Sequence, residues 1–207
     1  MPVKPSATAT ANAVTTFSSA EPGDIFFTTG KGVVGSLIRH GTSSPYGHCG
    51  VISGISRGMD GRRVLPTPAE WITHEAFPGF PPWKPGLKVR SRRSDEVAAV
   101  VRVWRTEQER AAILNMSNRM VDQRLPYAWS EIAAIMAGIV LPHGLVPMAD
   151  ASSAVICSNH VAQCIRAARP IDYDRFFRYH PNLMWPGGVA YDLAALLWSD
   201  CHGVMAS

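Results

Sequence analysis

Short β-rich runs parted by turn residues fill the first half of the chain, and helix-like runs parted by proline and glycine fill the second. This segregation constrains the fold more than any other feature. IFFT (25–28), HCGVISGI (48–55), EWITHEAF (70–77) and the valine-rich DEVAAVVRVWR (95–105) have the composition of strands, with TSSPYG and SRGMDGRR as turn and loop between them. KGVVGSLIRHG (31–41) breaks the pattern: Val33, Val34, Leu37 and Ile38 recur at helical spacing, and Gly41 ends a short helix. TEQERAAILNMSNRMVDQ (106–123) opens with Thr-x-x-Glu, the signature of a capping box, and reads as a longer helix. YAWSEIAAIMAGI, ICSNHVAQCIRAA and AYDLAALLW read as three more, with a Pro-rich passage before the last. Strands grouped first and helices after them argue against alternating βαβ units. The expected fold class is α+β, a small antiparallel sheet flanked by helices.

With 207 residues and 46% apolar side chains, the chain is long enough for one domain with a real core, needing neither metal nor disulfide staples. Residues 1–20 are rich in Ala, Thr and Ser but have no continuous apolar run of the kind a secretory signal needs. They are expected to be a flexible leader to a domain spanning 21–207. The reading for location is therefore cytoplasmic, or a phage particle if the protein is of phage origin. Residues 132–146 are apolar, yet Pro142 and His143 interrupt them before the roughly 20 residues of a membrane helix, so no integral membrane segment is expected.

Twenty basic and 16 acidic side chains leave a formal charge of +4, which selects no partner by itself. The one basic cluster, Lys88, Arg90, Arg92 and Arg93 in LKVRSRRSDE, has no interleaved aromatic platform and reads as a solvated strand or its trailing turn, not a nucleic-acid surface. Four cysteines, at 49, 157, 164 and 201, form no CxxC pair. That argues against a zinc ribbon and a disulfide framework, and free thiols fit a reducing compartment. No phosphate-cradling GxxxxGK[ST] loop occurs, and no cofactor is implied.

Cys157 lies where the loop ADASSAVI gives way to the helix-like SNHVAQCIRAA. The helix dipole and backbone amides of such a start draw a thiol toward thiolate and can also face an oxyanion. His48 begins a strand in which alternation puts His48, Gly50 and Ile52 on one face and Cys49 and Val51 on the other. Gly47 and Gly50 beside it leave space for a helix or a substrate to come close. Together Cys157 and His48 make a thiolate and imidazole pair. Either His74 or Glu75, adjacent in EWITHEAF, can orient the imidazole, but pleating lets only one of them point at the site. Cys157, His160 and Cys164 also stand at i, i+3 and i+7 on one helix face, where a fourth group such as His143 or Cys201 would complete a zinc set. Three ligands on one helix rarely converge on one ion, so Cys164 is expected in the core and no metal site is expected.

Taken in order, PGDIFF, a short helix, GHCGVI, ITHEA and ICSNHV resemble the circularly permuted NlpC-type papain-fold hydrolases, in particular their YiiX-like branch, over roughly residues 21–190. In the ordinary NlpC-type enzymes the cysteine helix precedes the histidine strand. Here His48 comes first, as in the permuted members and their relative lecithin retinol acyltransferase. The resemblance implies Cys157 as nucleophile, His48 as base and Glu75, which stands before Ala76, as the orienting group, with His74 in reserve. LPYAW is similar to the family's tyrosine segment and would make Tyr127 a donor near the oxyanion. The implied substrate is a cell-wall peptide or another amide-linked peptide, with Tyr46, Arg39, Trp71 and Trp83 as cleft candidates. Two positions depart from the family pattern: SNHV follows the cysteine, and Cys49 stands where valine is usual. The alternative is a non-catalytic peptide or amino-acid binding module, such as a virion or tail component, on the same fold.

Overall fold

The computed structural model describes residues 20–29, 35–36, 38–40, 44–56, 70–77, 85–129, 155–177 and 186–202. Among them are five strands: β1 (Ile25–Thr28), β2 (His48–Ser56), β3 (Glu70–Phe77), β4 (Gly86–Arg93) and β5 (Ala99–Val101). Four α-helices follow: α1 (Glu107–Asp122), α2 (Cys157–Ala168), α3 (Pro170–Phe176) and α4 (Pro186–His202). The strands form one sheet in the order β4-β3-β2-β1-β5, and every neighbouring pair is antiparallel. The architecture is α+β, with strands first and helices after.

β1 shows why both faces of this sheet must be covered. Phe26 and Phe27 are adjacent, so the pleat points them to opposite sides, and both are completely enclosed. Burying each stabilises the fold by about 1.5–3 kcal/mol. On one side Ile25, Phe27, Cys49, Val51, Ala76 and Ala99 meet Ile113 and Met120 of α1 and Val161 and Ile165 of α2. On the other, Phe26, Ile52 and Trp71 pack with Val97 and Val100 in a smaller cluster. β2 thus divides its side chains between two cores, Cys49 and Val51 toward the helices and Ile52 away from them.

α1 begins as its sequence predicts: the Thr106 hydroxyl accepts from the Glu109 amide, and the Glu109 carboxylate accepts from the Thr106 amide. α2 has no such cap. Its N-cap is Ile156, which cannot bond the first-turn amides through its side chain, and Cys157 is the first helical residue. Cys157 to Ala162 are all buried, which makes α2 the central helix, packed on β2, β3 and α1.

One expectation changes. DEVAAVVRVWR is a strand only at Ala99–Val101, because a 3-10 turn occupies Ser94–Glu96 and Arg102 and Trp104 turn back to bond Asp24. Within the passage read only as Pro-rich, α3 forms with Pro170 at its start, where the missing N–H costs nothing and the fixed φ suits a helix. LKVRSRR, read as a solvated strand or its trailing turn, lies in β4, paired along its length with β3. Residues 35–36 and 38–40 are helical, in line with the short helix expected there. Residues 1–19, most of YAWSEIAAIMAGI, the apolar stretch 132–146, His143 and Trp83 lie outside the described residues. Among the described residues, no helix is long and apolar enough to cross a membrane.

Candidate active site

His48 is the first residue of β2, with its side chain 14% exposed, and its Nε2 donates to Glu75 Oε2 at 2.9 Å. The pleat of β3 makes the choice that the sequence leaves open. Glu75 shares a face with Thr73 and Trp71 and turns to His48, whereas His74 turns to the helices, where its Nδ1 meets Ser117 Oγ at 2.8 Å. Glu75 is fully buried and saturated with donors. Arg92 grips it with Nε at 2.8 Å and Nη2 at 2.6 Å, and the Thr73 hydroxyl donates at 2.6 Å. Arg92 comes from the cluster that reads in sequence as a solvated face. In the folded sheet Lys88, Arg90 and Arg92 pair with Glu75, Thr73 and Trp71 and so share Glu75's side.

The glycines beside His48 do not leave the space open. A Cβ on Gly50 would lie 2.7 Å from the His74 carbonyl and 2.7 Å from the Phe26 ring. One on Gly47 would lie 2.7 Å from the Thr29 carbonyl and 2.9 Å from that of Gly35. Backbone and the Phe26 ring therefore occupy the room that the sequence suggested for a helix or substrate. The Phe26 ring, 6.3 Å from that of His48 and edge-on to it, forms one wall of the site.

Cys157, 2% exposed, completes the constellation. It opens α2, the helix that packs on β2 and β3. The bond from the Cys49 thiol, followed by the charge and hydrogen bond of His48, outweighs burial and holds Cys157 well below the ordinary thiol range. Burial alone would lower His48, but the negative charge of Cys157 and the bonds to Cys157 and Glu75 raise it to about 9. Burial opposes the charge on Glu75 as well, and Arg92 and His48 overcome it to keep the carboxyl ionised far into acid. Both shifts favour the thiolate and imidazolium pair beside an ionised carboxylate. Cys49 itself is pushed up by burial and by the adjacent Cys157 charge, and stays a thiol.

Tyr127 is buried and forms a parallel bridge with Val155, two residues before Cys157, while the Ala128 amide bonds the Val155 carbonyl at 3.0 Å. Its ring packs edge-on to Trp129 at 5.2 Å. The cleft candidates disperse: Trp71 is a core residue, Tyr46 packs against Phe27 at 5.1 Å, and Arg39 bonds the Thr29 carbonyl and Ser36. On α2, His160 Nε2 meets Ser117 Oγ at 2.9 Å, so one hydroxyl joins His74 to His160 across α1. Cys164 is enclosed in the core, as expected. Among the described residues, no group of three or more His, Cys, Asp or Glu side chains is arranged to hold a metal ion. Compared with models of protein families and with curated proteins, the chain matches none.

Proposed function

We propose that the chain is a cysteine hydrolase of amide bonds, with Cys157 as nucleophile, His48 as general base and acid, and Glu75 as the group that orients and charges the imidazole. One observation carries this reading: a buried thiol opens a helix packed on the strand that begins with His48, and the imidazole Nε2 of His48 is fixed by the buried carboxylate of Glu75. The Cys157 thiolate attacks the carbonyl carbon, and negative charge moves to the oxygen. Backbone amide dipoles at the start of α2 face that charge, and Tyr127, beside the chain that leads into the helix, is assigned to the same side. His48, already protonated, gives its proton to the leaving nitrogen as the C–N bond breaks. It then takes a proton from the water that attacks the acyl-enzyme, and the thiolate is restored.

The circularly permuted NlpC-type relationship and a cell-wall peptide or related peptide substrate belong to this proposal and rest on the motif order in the sequence. Iodoacetamide alkylation from pH 5 to 9, followed at Cys157 by peptide mass in the wild type and in His48→Ala, tests the mechanism. Cys157 is expected to react well below the roughly 8.5 of a free thiol, and the variant to lose that advantage. Equal, ordinary behaviour of Cys157 in both proteins would instead favour a non-catalytic peptide-binding module.

A further inference from the structure

Lys88, Arg90 and Arg92 of β4 share one face of the sheet with Glu75, yet that carboxylate has no room for them all. Its Oε1 accepts from Arg92 Nε and Thr73, and its Oε2 from Arg92 Nη2 and His48, which fills the roughly four lone-pair sites of a carboxylate. Arg90 Nη1 stops 3.9 Å from Oε2, an ion-pair neighbour with no lone pair left to bond there. Its guanidinium lies instead over the Phe77 ring, 4.4 Å from the centroid, with the side chain 38% exposed. In register Arg90 pairs with Thr73, so reaching Phe77 carries its head past Glu75, toward the end of β3 that lies beside the start of β2. That start is His48. A guanidinium held on an aromatic face keeps its N–H edge for a planar anion.

We propose that Arg90 is a specificity residue that binds a carboxylate on the leaving half of the substrate, so that the preferred substrates are peptides with a carboxylate just beyond the scissile amide, on its nitrogen side. The inference rests on the hydrolase reading above. In that reading Cys157 keeps the acyl half and His48 protonates the departing nitrogen, so the leaving half lies on the His48 side of the bond that breaks. Arg90 stands on that side too, with one carboxylate oxygen between it and the imidazole: Glu75 Oε2 is 2.9 Å from His48 Nε2 and 3.9 Å from Arg90 Nη1. Arg92, at 2.6 Å, already answers the Glu75 charge, which leaves the Arg90 charge for a substrate. A carboxylate fits it because two oxygens match two parallel N–H groups of the guanidinium. A C-terminal carboxylate and an acidic side chain present the same group.

The test compares acid and amide forms of thiol-alkylating probes on the purified full chain. Bromoacetyl-glycine carries a C-terminal carboxylate and bromoacetyl-glutamate α-amide a side-chain one, and each has an uncharged amide twin. Alkylation of Cys157 is followed by peptide mass, with fragmentation to distinguish it from Cys164, and each rate is divided by that of mercaptoethanol. For one of the two pairs the wild type is expected to prefer the acid about tenfold, the low end for a hydrogen bond to a charged group, through a lower half-saturating concentration. Which pair shows it tells a C-terminal carboxylate from an acidic side chain. Arg90→Gln should abolish the preference, Arg90→Lys keep part of it, and Arg93→Gln, on the opposite face of β4, keep it whole. A wild type that prefers neither acid overturns the proposal without any variant, and so does an unchanged preference in Arg90→Gln. If the uncharged probes still alkylate Cys157 well below the ordinary thiol range, the hydrolase reading survives that failure. A Cys157 that meets every probe as an ordinary thiol ends both.

Discussion

Two carboxylates in this sheet have no exposure at all, and each is gripped side-on by an arginine, yet they do different things. Asp24, just before β1, accepts from Arg102 Nε and Nη2 at 3.0 and 3.1 Å, from Trp104 Nε1 at 3.0 Å and from the Glu21 amide at 2.9 Å. Glu75 on β3 accepts from Arg92 twice, from Thr73 and from His48. Both sets of lone pairs are satisfied, which is what makes a buried charge tolerable. The difference lies in one donor. Every donor to Asp24 keeps its proton across the accessible pH range, so its charge can only fasten the chain segment before β1 to the segment after β5. One donor to Glu75 is an imidazole, so the same clamp sets a proton affinity and passes it on to Cys157.

The sharpest way to break the comparison is to neutralise each carboxylate. Asp24→Asn and Glu75→Gln each remove the buried charge that an arginine grips, leaving Arg102 with Glu21 and Arg92 with Glu96, and are expected to lower unfolding free energy by about 3–5 kcal/mol in denaturant titrations. Only Glu75→Gln should also slow alkylation of Cys157 near pH 6, at least tenfold, because His48 loses its charged partner. Equal slowing in folded Asp24→Asn would show that the two clamps are not functionally distinct.

A smaller effect concerns a buried group that lacks a full set of partners. His160 is enclosed, its Nδ1 has no hydrogen-bond partner, and burial lowers it to about 3. It stays neutral in the fold while the unfolded chain takes up a proton near pH 6.5. Its contribution is therefore present above about 6.5 and is lost as pH falls, by up to about 1.4 kcal/mol per unit, until about pH 3. His48 runs in the opposite direction: raised to about 9, it stabilises the fold below its unfolded value and loses that contribution as pH rises through 9. Stability measured between pH 6.5 and 4 should fall less steeply in His160→Asn than in the wild type. The smallest change expected is about 1 kcal/mol for Thr106→Ala, which removes the α1 cap. Unfolding should record that loss, while Cys157 reactivity, remote from the cap, stays unchanged.

Much of this arrangement was legible along the chain. Alternation correctly divided His48 from Cys49, the Thr106 and Glu109 pair marked the start of α1, and the change from loop to helix at Cys157 placed the thiol at a helix start. Each of these signals is local, carried by residues within a few positions of one another. Arg92 was not legible, because a charged strand reads alike whether its charges meet water or a buried carboxylate. The glycines beside His48 promised space, but only the packed fold reveals that Phe26 and neighbouring carbonyls fill it.

By itself the sequence determined the fold class, the grouping of most strands before the helices, and the placing of His48 at a strand start and Cys157 at a helix start. Tertiary structure alone decided that Glu75 and not His74 meets the His48 imidazole, and that Arg92 clamps Glu75. The physical reason is that a strand's two-residue period sorts side chains into two sets without saying which set faces which core. Register between β2, β3 and β4, together with the seat of α2 on β2, supplies that answer, and these are contacts between segments far apart in the chain.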